Sequence, residues 1–204
     1  MPTIHKLIPI FPLGWPWIGG FAAVTTFFGL CGWLFNSWTL SALSALSALL
    51  TFLVLWFFHD PERSPDPKDL AKLKSNQEPV LSPADGKITD ITEIQNPAIL
   101  TPHSVPSASY LRIGIFLSPL NCHVQWVPLE GAVLGVTRKN GRFLPAYDPQ
   151  ASHLNASSTI RLAHEILGEC VIRQITGFLV RRILTWTEQG CSLRIGTRLG
   201  MILL

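Results

Sequence analysis

The sequence predicts a mainly β fold, a β-sandwich or barrel-like soluble domain with few helices, preceded by a two-helix transmembrane hairpin. Three observations carry this. There is no Asp, Glu, Lys or Arg from Leu13 to Phe58, and all but one of the 16 basic and 13 acidic residues lie from Asp60 onward. Beyond residue 79, short apolar runs alternate with turn residues about every ten positions, the spacing of an all-β domain and not of βαβ units. The charged fraction of 14% and mean hydropathy of +0.32 depart from the roughly 25% charge of a soluble domain. Together these exclude a single soluble globule, and the confinement of the apolar run to one end excludes a polytopic transporter.

A helix crosses a hydrocarbon core of roughly 30 Å in about 20 residues. The charge-free run is more than twice that length, so two crossings fit, with helices over about 17–34 and 38–58. The turn between them is Phe35-Asn36-Ser37-Trp38, the most polar stretch of the run. Trp15, Trp17, Trp33, Trp38 and Trp56 fall near the helix ends, where indoles favour the membrane interface. The Ser-Ala-Leu repeat over 41–49 reads either as a small-residue face for close helix packing or as a generic apolar span. A cleaved signal peptide fits poorly, because the run is too long and no charge follows its first half. Lys6 precedes the hairpin, and Arg63, Lys68, Lys72 and Lys74 follow it. The turn itself is uncharged, so both termini are expected in the cytoplasm. The expected localisation is thus a two-pass membrane anchor with a cytoplasmic soluble domain.

The expected division is an anchor at 1–58, a linker with a surface helix at 59–78, and a β-rich catalytic domain at 79–204 that is C-terminally incomplete. Within the linker, Asp66 to Lys74 is the best soluble helix. A short apolar strand opens at Pro79, breaks at Asp85-Gly86, and gives way to an alternating strand over Ile88–Ile94. Tyr110–Leu117 is a buried strand candidate. Val127–Arg138 alternates around Gly131 and Gly135. Thr159–Leu162 and Val171–Ile175 are short strands, and Gly177–Thr187 fits a strand or a short helix.

The four cysteines (Cys31, Cys122, Cys170, Cys191) are far apart, without CxxC or zinc spacing, and read as reduced thiols. His103, His123, His153 and His164 lie in separate segments, so no metal is expected. The net charge of +3 is modest. The clusters at 138–142 and 181–182 suit anionic lipid headgroups or solvent, and no nucleic-acid module is present.

Two segments carry candidate chemistry: Leu81-Ser82-Pro83-Ala84-Asp85-Gly86-Lys87, and Phe116 to Val124 with His123 near its end. A carboxylate beside an imidazole fixes the ring tautomer and leaves the other nitrogen as a general base. From spacing alone, Asp85 and His123 could equally be a turn residue and an unrelated histidine. Arg112 and Arg173, on apolar strands, could hold a phosphate or a structural carboxylate.

In these segments the sequence resembles the phosphatidylserine decarboxylase family, in its short membrane-anchored form, which is similar to archaetidylserine decarboxylase. The matching stretches run in family order: Phe57-Phe58-His59-Asp60-Pro61-Glu62-Arg63, then Ser82 to Lys87, then Arg112 to Val124. Gly141-Arg142-Phe143 follows with Ala151-Ser152 and Asn155, then Arg173 to Gly177 with Arg181-Arg182-Ile183, and finally Gly196 to Ile202. The resemblance implies a carboxy-lyase that turns phosphatidylserine into phosphatidylethanolamine and CO₂ in phospholipid biosynthesis. It also implies a pyruvoyl cofactor that the proenzyme makes by autocatalytic processing at a Gly-Ser pair, leaving a β chain and a pyruvoyl α chain. Asp85 and His123 match the positions that activate the processing Ser, and His123 is a candidate proton donor after CO₂ leaves. Implied partners are phosphatidylserine, membrane lipids, the α chain and a second copy of the chain as a homodimer.

Three positions depart from the family pattern. Trp126 stands where longer members carry a second His. Ala156-Ser157 follow Asn155 where Glu-Arg is common. None of the 15 glycines is followed by Ser, so the processing Ser is expected just after Leu204. The chain then corresponds to the β-chain portion and is expected to be inactive without the α chain. The competing expectation is a non-enzymatic or degenerate membrane-anchored β-domain that binds lipid headgroups.

Overall fold

The computed structural model describes residues 11–61, 66–71, 77–95 and 109–203. It divides into two compact units. One comprises Met1–Glu62 with Pro119–Cys122, and the other Arg63–Ser118 with His123–Leu204.

The first unit is the helical hairpin. Helix α1 (Trp15–Leu34) and helix α2 (Trp38–Phe57) each have 20 residues, about 30 Å at 1.5 Å per residue, one bilayer core. Both are long and apolar enough to cross a membrane. The tight turn forms where the sequence places it. Asn36 takes φ 45°, a left-handed conformation that asparagine tolerates better than most residues. The Ser37 amide donates to the Gly32 carbonyl at 3.0 Å.

Of the two readings of the Ser-Ala-Leu repeat, the structure supports the packing face. Ser44 Oγ donates to the Thr25 carbonyl at 2.9 Å, and Ser47 Oγ to the Phe21 carbonyl at 3.1 Å. Thr25 Oγ1 donates to Ser47 Oγ at 3.0 Å. A Cβ on Gly32 would lie 2.7 Å from Ser41 Oγ, so only glycine admits this approach. Phe27, Leu30, Leu46, Leu49 and Phe52 point outward with more than half their surface exposed, as lipid-facing side chains do. The unit also holds the Pro119–Cys122 loop. Trp56 Nε1 donates to the Leu120 carbonyl at 2.6 Å, and Cys122 Sγ to the His59 carbonyl at 3.1 Å.

The second unit is mainly β, as expected, and all its ladders are antiparallel. Strands β1 (Lys87–Gln95) and β2 (Ser109–Phe116) form a two-stranded ribbon. Strands β3 (Val124–Trp126), β9 (Arg198–Leu203) and β7 (Arg182–Thr185) form a three-stranded sheet in that order. The third sheet runs β6 (Gly168–Ile175), β5 (Ser157–His164), β4 (Gly131–Lys139), β8 (Ser192–Leu193). Val133, Ile160, Leu162 and Ile172 on one face of this sheet pack with Val127 and with Leu199 of β9. The core is therefore sandwiched between the two larger sheets.

A polar network crosses the same interface. Gln174 on β6 donates to Gln125 on β3, Thr185 on β7 donates to Gln174 Oε1 at 2.9 Å, and Ser158 on β5 shares a 2.9 Å bond with Thr185. Both amide oxygens, the Gln174 amide nitrogen and both hydroxyls of this chain have partners, as burial requires.

Several expectations need correction. Tyr110–Leu117 is a strand but is not buried. Leu111 and Ile113 are at least half exposed, because among the described residues β2 pairs only with β1 and no sheet covers them. The linker helix α3 (Pro67–Leu70) spans only four residues, and residues 72–76 lie outside the described part. Gly177–Thr187 resolves into a turn followed by β7. Strands β3, β8 and β9 and the short helix α4 (Ala151–Leu154) were not foreseen.

Asn155 shows what one of the family-like segments does. It is fully buried. Its Oδ1 accepts from the Leu144 amide at 2.8 Å, and its Nδ2 donates to the carbonyls of Leu144 at 2.9 Å and Thr176 at 2.8 Å. It thereby ties the Gly141-Arg142-Phe143 loop to the start of β5 and the end of β6. Gly141 is needed there, since a Cβ would sit 2.3 Å from the Leu154 carbonyl oxygen. Asn155→Ala leaves three backbone groups without partners and is expected to cost about 3 kcal/mol of stability. Denaturant melts of the two proteins check this; a loss well under about 1 kcal/mol would show that the clamp does not matter.

Candidate functional site

The Asp85 turn and the His123 strand meet through backbone. The Leu81 amide donates to the Pro128 carbonyl at 2.7 Å, and the Trp126 amide to the Pro83 carbonyl at 2.9 Å. Asp85 is two residues from one side of this junction and His123 three residues from the other. Ser82 Oγ donates to the Ala84 carbonyl at 2.8 Å and tightens the turn. Gly86 then presses on the end of β2. Its φ is +155°, and a Cβ would lie 2.3 Å from the Phe116 carbonyl oxygen. That close approach explains the glycine after Asp85.

His123 is 2% exposed. Its carbonyl accepts the Ile202 amide at 3.2 Å, and the ladder continues with Val124 opposite Met201 and Gln125 opposite Gly200. The backbone of His123 is therefore held against Ile202 of β9, and its side chain is buried. Asp85 is half-buried, and both groups have hydrogen-bonding or charged partners. The backbone bonds bring the two segments together at Pro83 and Trp126; a carboxylate and an imidazole are the side-chain types that can move a proton to or from a hydroxyl or carbon. Trp126 is also buried, at 1% exposure, so indole surface occupies the position of the second histidine.

The two arginines part company. Arg112 lies on the exposed ribbon, where its Nε and Nη2 donate to Asp90 Oδ2 at 3.0 and 2.7 Å. The guanidinium holds the Asp90 carboxyl below the usual carboxylate range. Arg112 is therefore already engaged by a structural carboxylate. Arg173 is half-buried, and burial lowers its pKa. Its Nη2 donates to Ser157 Oγ at 3.4 Å, and among the described residues no carboxylate pairs with it.

Sequence reasoning missed the Gln125–Gln174–Thr185–Ser158 network and the residues gathered around Arg173. The alternation of β5, with Ser158, Ile160 and Leu162 on one face and Ser157, Thr159 and Arg161 on the other, was the available signal. Only the register with β4 and β6 turns that alternation into sites.

Comparison with known proteins agrees with the sequence resemblance. The sequence profile described as phosphatidylserine decarboxylase matches residues 50–204. The phosphatidylserine decarboxylase proenzyme of Pelobacter propionicus is 35% identical over 95% of this chain and 81% of its own length. That of Nitrobacter winogradskyi is 33% identical over 97% of this chain and 72% of its own length. The proenzyme of Carboxydothermus hydrogenoformans is 35% identical over 84% and 71% respectively.

The thiols give an independent check on burial in this unit. Burial, helped by the Glu169 charge, pushes the Cys170 thiol from 9.0 up to about 11, whereas Cys191 is exposed. A shift of this size cuts the thiolate fraction near pH 8 by about 100-fold. Iodoacetamide at pH 8 is expected to label Cys191 at least roughly tenfold faster than Cys170, read by peptide mass spectrometry. The neutral Cys170 thiol favours the folded state below pH 9, and that contribution is lost as pH rises through about 11. Equal labelling rates would contradict the burial.

Proposed function

The chain belongs to the phosphatidylserine decarboxylase family, and from that premise we propose that it is the β-chain portion of a pyruvoyl-dependent enzyme. The reaction is decarboxylation of phosphatidylserine to phosphatidylethanolamine and CO₂. The observation that carries this reading is the β3–β9 pairing. It keeps buried His123 against Ile202, next to the residues after which the processing Ser is expected.

The residues present fit a pyruvoyl group attached beyond β9. Met201, Ile202 and Leu203 are buried, so the strand leading to such a group is shielded from water, and a buried imidazole stands beside it. The pyruvoyl group, when present, supplies an electron sink for the carbon that loses CO₂. The chain's own residues supply the rest. His123 takes the proton of the processing Ser and, in the decarboxylation, returns a proton to the substrate carbon. Asp85, in the adjoining turn, orients and supports the imidazolium form. With Trp126 in place of a second histidine, His123 serves both steps. Burial of His123 keeps competing water away.

The proposed organisation is an anchor at 1–58, a linker at 59–78 and the β domain at 79–204. The hairpin crosses the membrane twice and holds the domain beside its lipid substrate. The basic residues on both sides of it, Lys6 and then Arg63, Lys68, Lys72 and Lys74, support a cytoplasmic domain. The α chain and a second copy of this chain are the proposed protein partners.

Intact mass and CO₂ release from carboxyl-labelled phosphatidylserine, measured on protein expressed with the coding sequence that follows Leu204, test the reading. Activity is expected only in material that holds a second, shorter chain with a blocked N-terminus. An intact 204-residue species that decarboxylates the lipid without a second chain would overturn the proposal. Asp85→Asn and His123→Ala are each expected to slow chain scission by about 100-fold or more while lipid binding persists. Scission at the normal rate in both variants would remove them from the mechanism.

A further inference from the structure

The face of the four-stranded sheet turned away from the core carries a cavity of about 250 Å³, lined by Thr137, Lys139, His153, Ser157, Thr159 and Arg173. The antiparallel register builds it. Thr137 on β4 pairs with Thr159 on β5, and Thr159 with Arg173 on β6, so the three share one face. Lys139 pairs with Ser157 at the next outward position. Helix α4 closes one edge, where Lys139 Nζ donates to the His153 carbonyl at 3.0 Å.

The cavity lies across the sheet from strand β3. Arg173 points outward, while its neighbour Gln174 points inward and bonds Gln125 on β3. A ligand held here is therefore separated by the sheet from the strand that begins after His123.

The charges in the cavity are of one sign. Its described lining has two cationic side chains, an imidazole and three hydroxyls, and no carboxylate. A second arginine on the same face shows what pairing looks like. Arg161 is bonded to Glu169, which raises its pKa. Arg173, partly buried like Arg161, bonds the Ser157 hydroxyl, has no carboxylate partner among the described residues, and has its pKa lowered by burial. A half-buried guanidinium without a counter-ion is costly. A multidentate oxyanion would satisfy it together with Lys139 and the hydroxyls.

We propose that this cavity is a second anion site, which binds a phosphate group carried either by a free phosphate compound or by an anionic phospholipid headgroup. The proposal does not rest on the decarboxylase reading, because it uses neither Asp85 nor His123.

The test is calorimetric titration of the full chain in a neutral detergent. One arm uses inorganic phosphate, the other dihexanoyl phosphatidic acid. Chloride at equal ionic strength and dihexanoyl phosphatidylcholine are the controls. Saturable binding of one equivalent is expected in at least one arm. Phosphate alone identifies a free phosphate compound as the source, and the lipid alone identifies a headgroup. Arg173→Gln and Lys139→Gln are each expected to weaken binding by roughly tenfold or more, with Arg173→Lys in between. Arg194→Gln, which removes an exposed charge elsewhere, should bind as the parent does. Lys139 is exposed at a strand end, so its variant keeps the test decisive if Arg173→Gln fails to fold. No saturable binding in either arm, or unchanged affinity in the folded lining variants, would overturn the proposal.

Discussion

Strand β9 has no side open to water between Leu199 and Leu203. It is the middle strand of its sheet, with all five of those residues buried. At Gly200 a Cβ would lie 2.3 Å from the Leu184 carbonyl oxygen and 2.6 Å from Gln174 Nε2. The backbone of β9 is thus pressed between β7 and the inward side chain of β6. Leu199 reaches the core shared with the four-stranded sheet, and β3 is held to β9 by the bonds that fix His123. Were this strand to slip by one residue, Gly200 would leave a position that has no room for a side chain. The sandwich, the amide network and the imidazole would then lose their common reference.

That constraint explains which parts of the fold the sequence could reveal. The hairpin was legible because an uncharged stretch of that length has few alternatives in physics. The alternation of Ser158, Ile160 and Leu162 announced β5, and similar patterns announced β4 and β6. Strand β9 was not legible by period, because Leu-Gly-Met-Ile-Leu is apolar at consecutive positions, as a strand covered on both faces must be. Strand β2 misled in the opposite direction. Its Leu-Arg-Ile-Gly-Ile-Phe run looks like core, yet exposure depends on which sheet covers a strand, and that is a tertiary fact. Of the candidate site, the identities of Asp85 and His123 came from family-like segments. The junction of Pro83 with Trp126 that brings their segments together is made of backbone groups and leaves no trace in side-chain pattern.

Three of the arginines on these sheets, Arg112, Arg161 and Arg173, show how burial sorts one residue type into different duties. Arg112, on an exposed ribbon, gains little by its carboxylate and could exchange it for water. Arg161 is mostly covered and has Glu169 beside it. Arg173 is covered without such compensation. Its surroundings are hydroxyls and another cation, the composition of a place that waits for negative charge. Position along a strand predicted none of this, because each outcome depends on what the neighbouring strand presents at the paired residue.

The hairpin keeps its hydroxyls to itself. Thr26 and Thr51 bond carbonyls one turn back in their own helices, Ser41 bonds Ser37, and Thr25, Ser44 and Ser47 bond across the pair. With those hydroxyls engaged internally, the outer surface offers lipid mostly carbon. Such a pair can leave an insertion channel as a closed unit, with no unmet hydroxyl to hold it back or to recruit a third span. In a bilayer, a hairpin whose hydroxyls are closed in this way would offer chance partners little to hold.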